Sequence, residues 1–192
     1  DVAKSSISLW LRDFPLTKDE KRYLKSRRDK NISRGRIKAG AVLHSRRLER
    51  DKLLLEETRI EFRQNLHHPL YLVGISLYWA EGTKRSNVFA FTNSDSDMIN
   101  VMLSWIEKFW SVPRKDIGVR LFSHKLYAHE RCEEQWSKEI AIPLSNFKKT
   151  IYKPTGLLVK KRPEYKGCLR VELGKTTNLR KMLFLQRMLL EY

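Results

Sequence analysis

Between Lys25 and Arg47 nine cations (Lys25, Arg27, Arg28, Lys30, Arg34, Arg36, Lys38, Arg46 and Arg47) stand against one acid, Asp29. That imbalance limits what the chain can fold into. The stretch carries only Ile32, Ile37, Val42 and Leu43 as large apolar residues, too few to offset the entropy of ordering it around a core of its own. Asn31, Ser33, Gly35 and Gly40 are weak helix formers, and all four are expected to interrupt any helix here. Residues 17–66 read as a mainly helical connector. Its first half is basic; its second half is laced with Arg50, Lys52, Glu56, Glu57, Arg59, Glu61 and Arg63, the pattern of a solvated helix. Nine nearly unopposed cations repel one another unless a polyanion neutralises them, so the first half is expected to track phosphates.

The rest of the chain is consistent with that partner. The full sequence of 192 residues holds 39 Lys and Arg against 22 Asp and Glu, a formal charge of +17, which exceeds what solubility requires and acts on polyanions over a Debye length or more. With 41% hydrophobic residues the chain can bury a core, which excludes wholesale disorder. Its two cysteines, Cys132 and Cys168, make no disulfide framework and suit a reducing compartment. No apolar run approaches a membrane span. The expectation is an intracellular protein, cytoplasmic or nucleoid-associated, that binds nucleic acid and not membrane; net charge alone does not choose DNA over RNA.

From His67 onward the composition becomes that of a packed domain. Pro69–Ala80 predicts an apolar helix entered through proline and ended by Gly82. Val88–Thr92 reads as a short strand, followed by the helix-capping types Asn93, Ser94 and Asp95. Met98, Ile99, Met102, Trp105, Ile106 and Phe109 have helical spacing. Ile117–Phe122 alternates as a strand, Glu130–Ile140 reads as a helix, and 149–161 as a basic hairpin around Pro154, Thr155 and Gly156. Leu169, Val171 and Leu173 alternate with Arg170 and Glu172, a half-buried strand. Thr176 or Thr177 is expected to cap a last helix bearing Leu179, Met182, Leu183, Leu185, Leu189 and Leu190. The predicted order is α-β-α-β-α-β-β-α, an α+β domain.

Two segments carry family resemblances. In residues 2–13, Ile7, Trp10 and Leu11 share one helical face while Lys4, Ser5, Ser6, Ser8 and Arg12 project elsewhere; short hydroxyls and cations suit a helix that approaches bases closely. The segment resembles the recognition helix of helix-turn-helix domains, which implies DNA contacts by Lys4, Ser5, Ser6 and Arg12.

The second segment, Tyr71 to Thr83, aligns Val73, Ser76 and Ala80 on one helical stripe and ends in Glu81-Gly82. It resembles the LAGLIDADG motif of homing endonucleases, with Glu81-Gly82 at the closing Asp-Gly and Ser76 and Ala80 at the small positions. The resemblance implies an αββαββα saddle over roughly residues 70–192, preceded by the helical, basic N-terminal region. It also implies a homodimer packed through Val73, Ser76 and Ala80, and cleavage of double-stranded DNA with Glu81 as ligand to Mg²⁺. A basic residue near the scissile phosphate is expected in that family, with Lys84 and Lys125 as candidates. On the saddle Arg120, Arg170 and Thr92 would meet DNA, and Lys153, Lys160, Lys161, Arg162 and Lys166 would meet phosphates around the hairpin. A non-enzymatic DNA-binding regulator of the same fold is the alternative, and an RNA-binding relative a third.

Other chemistries fail on spacing. Gly174-Lys175-Thr176-Thr177 lacks the earlier glycine of a P-loop, since Leu169 holds that position. His124, His129, Cys132 and Cys168 match no zinc finger or ribbon. The expected organisation is therefore a recognition-helix remnant over 1–16, a basic helical arm over 17–66 and a LAGLIDADG-like domain over 67–192.

Overall fold

A computed structural model of the chain describes residues 2–154 and 162–192. The chain divides into two compact units, residues 1–52 and 53–192.

The first unit is helical and has no interior. Helix α1 spans Lys4–Trp10, and α2 runs over Lys18–Asn65, so that its residues to Lys52 belong here and its last turns to the second unit. Thr17 begins α2 with a reciprocal cap: its hydroxyl accepts from the Glu20 N–H (3.3 Å), and Glu20 accepts from the Thr17 N–H (2.8 Å). The Glu20 carboxyl is held below its ordinary pKa chiefly by that backbone hydrogen bond. Every residue from Ile7 to Arg50 is exposed. Contrary to expectation, Asn31, Ser33, Gly35 and Gly40 do not break the helix, which is continuous through all four. Each glycine costs only about 1 kcal/mol relative to alanine, and neither Gly35 nor Gly40 has a neighbour a side chain would strike. The apolar face of α1 is not packed: Ile7 and Trp10 remain 44% and 63% exposed.

The second unit contains the core. After the last turns of α2 come α3 (Pro69–Glu81), β1 (Phe89–Asn93), α4 (Ser96–Trp110), β2 (Gly118–His124), α5 (Cys132–Ile140), β3 (Phe147–Lys153), β4 (Cys168–Leu173) and α6 (Thr176–Glu191). From Pro69 onward this is the α-β-α-β-α-β-β-α order read from the sequence, and the class is α+β. The four strands make one mixed sheet in the order β1-β4-β2-β3. β4 is antiparallel to both β1 and β2, whereas β2 and β3 are parallel, with a register shift between Arg120 and Phe122. Of the expected hairpin, residues 149–153 lie in β3; the turn and second arm at 155–161 fall outside the described residues. Thr176 does not cap α6 but begins it, with Lys175 at the cap position. Asp95 does cap α4, accepting from the N–H groups of Asp97 (2.8 Å) and Met98 (3.4 Å).

One face of the sheet is apolar and buried: Phe89 and Phe91 of β1, Leu169, Val171 and Leu173 of β4, Val119 and Leu121 of β2. This face joins the helices in a single core containing Tyr71, Ile75 and Tyr78 of α3, Trp105 and Ile106 of α4, and Met182 and Leu185 of α6. The closest fit is between α3 and α4. A Cβ on Gly74 would come within 2.0 Å of Trp105 Cδ1, so only glycine lets the indole lie there, where its Nε1 donates to the Tyr71 carbonyl at 3.0 Å. The last turns of α2 join this unit through buried Thr58 and Phe62, and Glu61 accepts from the Tyr71 hydroxyl at 3.1 Å while pairing with Lys181.

Candidate nucleic-acid interface

Helix α3 is apolar on both sides, yet only one side is buried. Tyr71, Gly74, Ile75 and Tyr78 face the core; Val73, Ser76 and Ala80 are all exposed, and Val73 retains half its surface. Trp79, 38% exposed, lies beside them. A single-domain helix that meets water on its second face ordinarily carries charge there, and this stripe carries none. Glu81 follows on the last turn, exposed.

The turn after Glu81 is rigid. Gly82 is buried and forms an isolated antiparallel bridge with Phe91, and the Thr83 N–H donates to the Ala90 carbonyl at 2.9 Å. A Cβ on Gly82 would stand 2.4 Å from the Tyr78 carbonyl oxygen, so glycine is required by contact, not by an unusual φ. The Tyr78 hydroxyl locks the same turn: it donates to the Thr83 carbonyl at 2.8 Å and accepts from the Ala90 N–H at 3.3 Å. Burial pushes this phenol up to about pH 12. The Glu81 carboxylate thus leaves a fixed stem. Lys84 and Lys125 are exposed, and neither is paired with it.

The second face of the sheet carries a polar row beside Ala90, Phe122 and Ile151. Register places Thr92, Arg170, Arg120 and Lys148 side by side in one cross-strand row. Arg120 and Arg170 therefore share a face, as the alternation of β2 and β4 implied. Lys148 joins them; period-two reading of β3 alone does not reveal it, because it depends on pairing with β2. Glu172 stands beside the row, paired with Lys148 and 3.0 Å from Arg170 Nε. The Arg120 guanidinium donates to the Lys149 carbonyl, at 3.4 Å. Three cations in a row repel one another, and one carboxylate offsets only part of that repulsion, so an anion on this face is favoured.

The remaining candidates are dispersed. Lys153 and Arg162 are exposed, the latter with its N–H donating to the Tyr127 hydroxyl at 2.6 Å; Lys160 and Lys161 lie outside the described residues. Lys166 is not a free phosphate ligand. Its Nζ sits 4.7 Å from the centre of the Trp136 ring and pairs with Glu139, partners that a local reading does not supply. Lys4 and Ser5 lie exposed on α1, Ser6 is half-buried there, and Arg12 follows the helix. Arg27, Arg28, Arg34, Arg36, Lys38, Arg46 and Arg47 are all exposed on α2.

Among the described residues no three His, Cys, Asp or Glu side chains gather as a metal cluster, and no helix is long and apolar enough to cross a membrane. Compared with known protein families, curated proteins and solved structures, the chain matches none.

Proposed function

We propose that the chain binds double-stranded DNA as a symmetric homodimer whose 67–192 region is LAGLIDADG-like, and that it cuts DNA with Mg²⁺ held by Glu81. The observation that carries this reading is α3. An apolar helix whose free face is the uncharged stripe Val73, Ser76 and Ala80 is suited to pack against its own copy, and each copy would then present one Glu81 beside the shared axis. The one-residue bridge of Gly82 with Phe91 stands where the family's first strand would be, whereas helix α5 between β2 and the parallel β3 departs from the αββαββα order. The row Arg170, Arg120 and Lys148 suits the phosphates of a duplex laid on the open sheet.

The metal is argued from the donor set. Glu81 offers an exposed carboxylate with no ion-pair partner among the described residues, the hard oxygen that Mg²⁺ prefers. One carboxylate is half a site, so the second must come from the partner copy. Bound there, Mg²⁺ would activate water and stabilise the leaving oxygen of a phosphodiester. The chain's own part is positional: Gly82 and Tyr78 hold the end of α3 so that the two carboxylates meet in a defined geometry.

The test pairs assembly with cutting. Ala80→Leu is expected to give a monomer in sedimentation velocity, and a mutant dimer as tight as wild type overturns the interface. A library of duplexes incubated with Mg²⁺ should yield ends at one site, with Glu81→Gln abolishing cutting and sparing binding; unchanged cutting by that variant removes Glu81 from the chemistry. A non-enzymatic regulator is the second reading, favoured by the finding that among the described residues of one chain no three His, Cys, Asp or Glu side chains gather to hold a metal. It predicts site-specific binding by the wild type with no cut ends.

A further inference from the structure

The cations of the basic half of α2 do not lie on one face. At about 100° per residue, Lys25, Arg36 and Arg47, spaced eleven apart, share one side of the helix. Arg27, Lys30, Arg34 and Lys38 occupy the side almost opposite. All seven are exposed, and the only acid of the stretch, Asp29, lies 3.6 Å from Arg28, on the side of the Lys25 row and one turn from Lys25. Ile32, Ile37, Val42 and Leu43 are scattered around the helix and exposed, so there is no apolar face to lie in a membrane surface.

A flat anionic surface neutralises one side of such a helix and leaves the other repelling itself. Two phosphate walls neutralise both. The major groove of B-form DNA is about 12 Å wide and admits an α-helix, whereas that of duplex RNA is deep and narrow. We infer that the basic half of α2 lies within the major groove of B-form DNA, with Lys25, Arg36 and Arg47 toward one phosphate wall and Arg27, Lys30, Arg34 and Lys38 toward the other. The sector between the rows that carries Ser26, Ser33 and Gly40 faces the base edges. This rests on the DNA-binding reading above and selects duplex DNA over duplex RNA.

The experiment measures the salt dependence of affinity for the full chain on a 30-base-pair DNA duplex, the same-sequence RNA duplex and phosphatidylserine vesicles. One variant has row Lys25, Arg36 and Arg47 changed to Gln, a second has row Arg27, Lys30, Arg34 and Lys38 changed to Gln. Glutamine keeps helix propensity near that of Lys and Arg, and circular dichroism checks it. At about 0.9 per phosphate, the slope of log K against log salt on DNA should fall by roughly 2.7 for the first variant and roughly 3.6 for the second. A fall in only one variant puts the helix on a single backbone and overturns the groove assignment. No fall in either, with wild-type binding intact, makes the arm idle and overturns it while the DNA reading stands. Equal falls on RNA, or row dependence seen only on vesicles, also overturn it. Failure of the wild type to bind the DNA duplex overturns both readings.

Discussion

The two units carry nearly equal excess charge on very different bodies. Residues 1–52 hold 16 Lys and Arg against seven Asp and Glu, an excess of nine; residues 53–192 hold 23 against 15, an excess of eight. In the larger unit the cations are edge features of a domain specified by apolar packing, and several, such as Arg114, Lys166 and Lys181, are bound to carboxylates. In the smaller one no residue before Thr58 is buried among those described, so helix propensity, capping and charge are the only forces available. One region is specified by shape and the other by electrostatics. The two should respond to different perturbations.

The largest difference is expected from truncating the core. Trp105→Ala should cost about 3–5 kcal/mol in urea unfolding, because the indole fills the space that Gly74 leaves. Leu43→Ala in the arm should change stability by less than about 0.5 kcal/mol, and comparable effects from the two would remove the contrast. Tyr78→Phe is next. It leaves the Thr83 carbonyl and Ala90 N–H without their partner and should cost about 1–2 kcal/mol. It also changes the alkaline limb. The native phenol titrates at about 12 against about 10 when unfolded. Its contribution is therefore complete below about pH 10 and is lost as pH rises through the native value. Unfolding curves between those limits should fall less steeply in the Phe variant, and identical slopes would show that the phenol is not held this way. The smallest effect has the opposite sign: Gly40→Ala should favour the helix by about 1 kcal/mol, read as increased ellipticity at 222 nm. No increase would show that this part of α2 is stabilised by something other than its own propensity.

What was legible in the sequence follows the same division. Helix α4 and strand β4 are visible in their spacing, because each buries one face against the core and the apolar period records it. The acid at the end of α3 and the stripe before it are visible for a different reason, their residue types and spacing, since none of them lies in the core. Strand order is not, since placing β4 between β1 and β2 depends on pairing between residues far apart in the chain. The row that joins Lys148 to Arg120 and Arg170 follows from that order and was hidden with it. Lys166 read as a surface cation because Trp136 and Glu139, which engage it, are distant in sequence. Gly35 and Gly40 read as breaks because a local penalty is easy to see and the continuity of the flanking turns is not.

The sheet order also constrains how the domain is made. β1 and β2 have no direct pairing with each other; both wait for β4, which is synthesised about 45 residues after β2 has been completed. Until then the chain has a parallel β2–β3 pair, a solitary β1 and a basic arm that has already emerged. Closure of the core is therefore a late, long-range event, slow by its topology. A chain ended before Cys168 would lack the strand that connects the other three, whatever the soundness of its helices.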